Sequence, residues 1–121
     1  MSKRSIEVFA SAARTATPDA VEINCEGAEY LYLFIDCTAD PAAASVVVDI
    51  DYYDPLTGKS STLLASAAVA AVGTQLLRIG VGLPATANVS ANCPVPEQVK
   101  ITATHADTDS ITYQVTAQLI G

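Results

Sequence analysis

Along most of the chain apolar and polar side chains alternate with a period of two, the mark of strands that bury one face. Val21, Ile23 and Cys25 alternate with Glu22, Asn24 and Glu26, which predicts a half-buried strand. Glu26, Gly27, Ala28 and Glu29 follow as a tight turn, because Gly supplies the backbone angles that a short reversal needs. Over residues 30–38, Leu31, Leu33, Ile35 and Cys37 share one face, and Tyr30, Tyr32, Phe34 and Asp36 share the other. Both faces are largely apolar. The run therefore reads as a central strand covered on both sides, or as one whose second face meets a partner.

Residues 39–43 carry Pro41 and end that strand, since Pro cannot donate to a ladder. Residues 45–53 form the next one, with Val46, Val48, Ile50 and Tyr52 opposite Val47, Asp49, Asp51 and Tyr53. Residues 54–59 place Pro55 early and Gly58 late, the order a turn prefers, so 60–66 should return antiparallel. Residues 65–72 are Ala-rich and fit a helix or a strand; the preferred reading is a strand to Ala68, a loop through Gly73 and Thr74, then a strand over 75–80. Residues 80–96 have loop composition. Residues 98–105 alternate again, 106–110 read as a hairpin loop, and Ile111, Tyr113, Val115, Ala117 and Leu119 line the inward face of the last strand. The result is an all-β chain: a single antiparallel β-sandwich of about seven or eight strands, Ig-like or jelly-roll-like, over residues 18–121. Residues 1–17 precede it as an extended N-terminal arm or first edge strand.

At 121 residues, with 50% hydrophobic and 16% charged side chains, the chain can bury a core without staples. Its apolar runs break well short of the roughly 18 residues of a membrane helix, so no membrane partner is expected. A net charge of −7 argues against a nucleic-acid surface. Lys3 and Arg4 are followed by Glu7 rather than a long apolar run, so no secretory signal is read and synthesis in the cytoplasm is expected. Cys25, Cys37 and Cys93 match no zinc or haem spacing and read as small buried hydrophobes with free thiols.

Candidate chemistry is sparse. Asp49, Asp51 and Asp54 are weak Ca²⁺ candidates: hard oxygen ligands that lack the loop spacing of an EF-hand, and otherwise a solvated polar face. Asp107 and Asp109 read as turn formers. Any triad would have to use His105, the single histidine, and nothing places a nucleophile beside it. Gly80-Val81-Gly82 lacks the third Gly of a phosphate loop. No enzyme and no cofactor are expected. Tyr30, Tyr32, Phe34, Tyr52 and Tyr53 could stack on a surface glycan, though Trp is absent. The remaining candidates are contacts: the N-terminal Lys3, Arg4, Ile6, Val8, Phe9 and Arg14, which could leave their own sandwich to pair with a neighbour, and the apolar face of Tyr30, Tyr32 and Phe34.

Three stretches resemble a group of small virion proteins of tailed bacteriophages: residues 11–18, residues 53–59 leading into 62–67, and residues 104–113. Gly73-Thr74 before Leu76-Leu77-Arg78 is similar in placement. The resemblance implies a structural role in the particle, decorating or cementing the outside of the capsid, with tail or neck positions as alternatives. It implies the major capsid protein and further copies of the chain, as dimers or trimers, as partners, and the virion as the location.

Overall fold

A computed structural model describes residues 3–39 and 45–121. The segment 40–44, which carries the expected strand end at Pro41, lies outside the described residues. Nine strands follow in chain order: β1 (Lys3–Arg14), β2 (Val21–Asn24), β3 (Tyr30–Ala39), β4 (Val46–Asp54), β5 (Lys59–Ala65), β6 (Gly73–Gly80), β7 (Ser90–Ala91), β8 (Gln98–His105) and β9 (Ile111–Ile120). Residues 66–72 take the non-helical alternative, but the expected strand ends at Ala65 rather than Ala68; beyond it Ser66 bonds Val48 and Val69 bridges to Val46 on β4. Among the described residues no helix is long and apolar enough to cross a membrane.

The strands divide into a five-stranded sheet, β1-β9-β3-β6-β7, and a four-stranded sheet, β2-β8-β4-β5. With the two-residue β7 set aside, this is the wrapping order of a jelly roll, in which successive strands mostly alternate between the sheets. An Ig-like order would keep more neighbours in one sheet. Among the described residues the one adjacent pair joined within a sheet as a hairpin is β4–β5, around the expected turn at Gly58 (φ 73°). Two predicted reversals are therefore corrected. The turn at Gly27 and the loop 106–110 each carry the chain from one sheet to the other, because β2 pairs with β8 while β3 and β9 pair with each other. Local turn chemistry dictates a reversal but not the strand that will lie alongside.

The alternation seen in sequence is the core. Leu31, Leu33, Ile35 and Cys37 from β3, Leu77 and Ile79 from β6, and Ile111, Tyr113, Val115, Ala117 and Leu119 from β9 face Ile23, Val46, Val48, Ile50, Val99, Ile101 and Ala103 from the second sheet. Two such inner faces fill a layer about 10 Å thick. Burial pushes the Cys25 thiol up to about 11, as for an inert packed group.

The N-terminal segment does not leave its sandwich. Residues of β1 pair with β9 of the same chain, from Lys3 opposite Ile120 to Arg14 opposite Ile111. The register shifts between Glu7 and Phe9, so two successive residues, Val8 and Phe9, both turn inward and are buried. The apolar residues of the segment dock onto their own core.

Gly80 shows how closely the outer layer is fitted. A Cβ there would sit 2.2 Å from Cδ1 of Tyr30, whose ring covers the bare backbone from the paired position on β3. Gly80→Ala should displace that ring and destabilise the fold by about 1–3 kcal/mol, read from the denaturation midpoint. Unchanged stability would show that the ring moves aside without cost.

Candidate functional site

The register of β3 between β9 and β6 builds one continuous outward face on the five-stranded sheet. Its first row is Lys3, Ile120, Tyr30 and Gly80; the second is Ser5, Gln118, Tyr32 and Arg78. The third is Glu7, Thr116, Phe34 and Leu76, and the fourth carries Gln114, Asp36 and Thr74. Tyr30, Tyr32 and Phe34, singled out in sequence, thus form a ladder down the middle, half-buried among their neighbours. Leu76, Arg78, Ile120 and the outward residues of β9 complete the face. They were readable as outward positions, but only the pairing brings them to the ladder. Gln114 Nε2 donates to Glu7 Oε2 (3.1 Å), and Thr74 Oγ1 donates to Asp36 Oδ1 (3.1 Å). Phe34, Asp36, Thr74, Gln114, Thr116 and Gln118 line a shallow hollow of about 290 Å³ in this face.

The other interface candidates are placed elsewhere. Val8 and Phe9 are in the core and Ile6 packs against it. Arg4 donates to the Asn24 carbonyl (3.3 Å). Arg14 closes one end of the sandwich: Nη1 donates to the Tyr113 carbonyl (3.0 Å), Nη2 to the Ala10 carbonyl, and the guanidinium lies 4.7 Å from the Tyr113 ring centroid. Of the nine, Lys3, Tyr30, Tyr32 and Phe34 are the ones on the open face.

The three aspartates do not converge. Asp54 is held in the turn, accepting from the Leu56 amide (3.0 Å) and the Thr57 hydroxyl (2.8 Å), contacts that lower its pKa. Asp49 and Asp51 stand on the outward side of β4; burial, then the charge of Asp51, raises the pKa of Asp49. Asp51 Oδ1 is buried without a hydrogen-bond partner. Among the described residues no group of three His, Cys, Asp or Glu side chains is placed to hold a metal ion. Of the three weak Ca²⁺ candidates, Asp54 is thus engaged in its own turn.

His105 sits at the end of β8, its Nε2 2.9 Å from the hydroxyl of the fully buried Tyr113, and its amide donates to Thr17 Oγ1 (2.9 Å). Its ring joins the Arg14 and Tyr113 cluster that ties β1, β8 and β9 together, which is a structural task.

No family model matches the chain, and no curated protein does. A chain in the structure of infectious bursal disease virus, Gt strain, superposes on 99% of this chain with a TM-score of 0.40 and 11% identity. The superposition takes in 33% of that longer chain. A likeness at this level assigns no role.

The clasp at His105 has a pH signature. Burial, then the charge of Arg14, holds His105 below its ordinary pKa, with Asp107 pulling weakly upward. A base held low in the fold is favoured neutral, so its contribution is full above the unfolded imidazole range and is lost as pH falls through that range toward the folded value. His105→Gln should therefore flatten the loss of stability on acidification below about pH 6.5. Parallel stability profiles for the two proteins would remove His105 from that slope.

Proposed function

We propose that the protein is a non-enzymatic structural subunit of a bacteriophage virion, placed on the outside of the capsid, where it stabilises the shell by binding the major capsid protein. The observation that carries this reading is the outward face of the five-stranded sheet. It is broad and regular, has an aromatic and aliphatic centre with a polar surround, and suits docking by area against another protein. The likeness of residues 53–59 and 104–113 to small virion proteins points the same way. Those residues form the β4–β5 hairpin turn and the crossover into β9, both of them scaffolding for the two sheets. Jelly rolls serve viral capsids, lectins and cupins alike, so the fold supports the reading without selecting it.

A shell binder adds its binding free energy to the assembled state alone, so many copies raise particle stability together. Purified protein should co-sediment with expanded capsids of its own phage and raise their melting temperature. Capsids that neither bind it nor gain stability would sink the decoration reading; immunogold at the tail or neck would move the subunit there.

A glycan-binding reading has one feature in its favour. Tyr52, Tyr53, Thr57, Ser60 and Ser61 line a cleft of about 340 Å³ at the β4–β5 turn, hydroxyl-rich and with Tyr52 exposed. Against it, the Lys100 ammonium lies 5.0 Å from the Tyr53 ring centroid, over the face a sugar would use. Saturable binding on a glycan array, lost in Tyr52→Ala, would favour this reading over the shell.

A further inference from the structure

We propose that Asp49, Asp51 and Thr102, on the outward side of the four-stranded sheet, form a binding site for one Ca²⁺ ion. The site lies on the other sheet from the aromatic docking face and holds whatever that face meets.

Asp51 carries the inference. It stands on the opposite side of β4 from the buried Val48 and Ile50, yet is only 8% exposed. Its Oδ2 accepts from the Thr102 hydroxyl (3.5 Å), and its Oδ1 is enclosed with no hydrogen-bond partner. An ionised carboxylate enclosed in this way is costly until a cation or a donor meets the free oxygen. The lean of the side chain says where that partner sits. Lys100 and Thr62 are opposite Asp51 in the ladder, whereas Thr102 is opposite Asp49. Contact with Thr102 therefore tilts the Asp51 carboxylate along the strand into the row of Asp49, across a Cα spacing of about 7 Å. Two carboxylates and one hydroxyl converge in that row. Their crowding shows at Asp49, whose pKa is raised by burial and then by the charge of Asp51.

The chain's own cations do not answer this charge. The ladder neighbours of Asp49 are Thr102 and Ala65. Lys100 stands between Asp51 and Glu22, but its ammonium lies 5.0 Å from the Tyr53 ring centroid and joins no ion pair among the described residues. A water would satisfy Oδ1 without supplying charge. A partner's guanidinium fork needs both carboxylate oxygens open, and here one is enclosed and the other faces Thr102. A small ion meets neither obstacle.

The donors are all oxygens, which selects a hard divalent cation. Ca²⁺ suits them better than Mg²⁺: it tolerates an irregular shell, whereas Mg²⁺ demands a near-ideal octahedron that donors fixed by strand register do not supply. Two carboxylates and a hydroxyl leave several positions to water. The affinity should therefore fall in the weak class, with a dissociation constant on the order of 10⁻⁴–10⁻³ M.

The intact protein, stripped with EDTA and dialysed, is melted over a CaCl₂ series at constant ionic strength. At about 10 mM Ca²⁺ the melting temperature should stand roughly 5 °C above that of the stripped protein. Asp49→Asn and Asp51→Asn keep the side-chain shape, and each should weaken the Ca²⁺ response about tenfold or more. Asp54→Asn should keep the response, since Asp54 serves its own turn. Tb³⁺ gives a readout separate from stability. Its emission, excited through Tyr53, the next outward residue after Asp51, should appear with the wild-type chain, be displaced by Ca²⁺ and be lost in Asp51→Asn. A melting temperature indifferent to Ca²⁺ would overturn the proposal, as would a Ca²⁺ response that both Asn variants retain.

Discussion

Everything in this molecule depends on packing two inner faces against each other across one aliphatic layer. Each strand can supply only every second residue to that layer, so the opposite residues are pushed outward in equal number. The inner set is built mostly from Leu, Ile, Val and Ala, with the Phe9 ring from β1 and one larger, hydroxyl-bearing ring, Tyr113. That ring is longer than the layer's aliphatic side chains, and its hydroxyl needs a partner when buried. His105 meets the hydroxyl and Arg14 covers the ring, so the single histidine and one of six cationic side chains are committed to the clasp. The same layer takes up Val8 and Phe9 at the β1 irregularity and keeps Cys25 and Cys37 from solvent.

What is left for function is therefore surface. On the four-stranded sheet the outward positions include Asp49, Asp51, Lys100, Thr102, Thr104 and Tyr53 beside Val47, a mostly polar set of mixed charge in which Asp51 keeps one oxygen without a partner. The outward positions of β3 begin with Tyr30, Tyr32 and Phe34 before the charged Asp36, and a solvated face does not need those rings. The aromatic residues of β3 stand on an open sheet face, an arrangement that suits contact with a surface better than enclosure of a small molecule.

The strands were legible because period two survives wherever one side faces the layer, as in β3, β8 and β9. Their arrangement was not. Gly27 and the residues around Asp107 announce turns, and a turn looks alike whether the next strand joins the same sheet or the facing one. β7 escaped notice because two residues carry no period, and its parallel pairing with β6 comes from the fold of the 80–96 loop. The bulge at Val8 left the first segment open between an arm and a first edge strand, because two successive apolar residues break the alternation; its pairing with β9 makes it the edge strand. The aromatic ladder stood out in sequence because Tyr30, Tyr32 and Phe34 are neighbours at alternate positions. Arg78, Leu76, Gln118 and Ile120 could not be joined to it beforehand, since they arrive from strands more than forty residues away through the pairing register.

The central claim is that function resides on the outward face of the five-stranded sheet. Hydroxyl-radical footprinting of the intact protein, free at high dilution and then in its assembled form, tests this directly. The account predicts that Tyr30, Tyr32, Phe34 and Leu76 lose reactivity on assembly, while Tyr52 and Leu56 at the β4–β5 turn keep theirs. Protection of Tyr52 and Leu56 with the β3 ladder still reactive would contradict it.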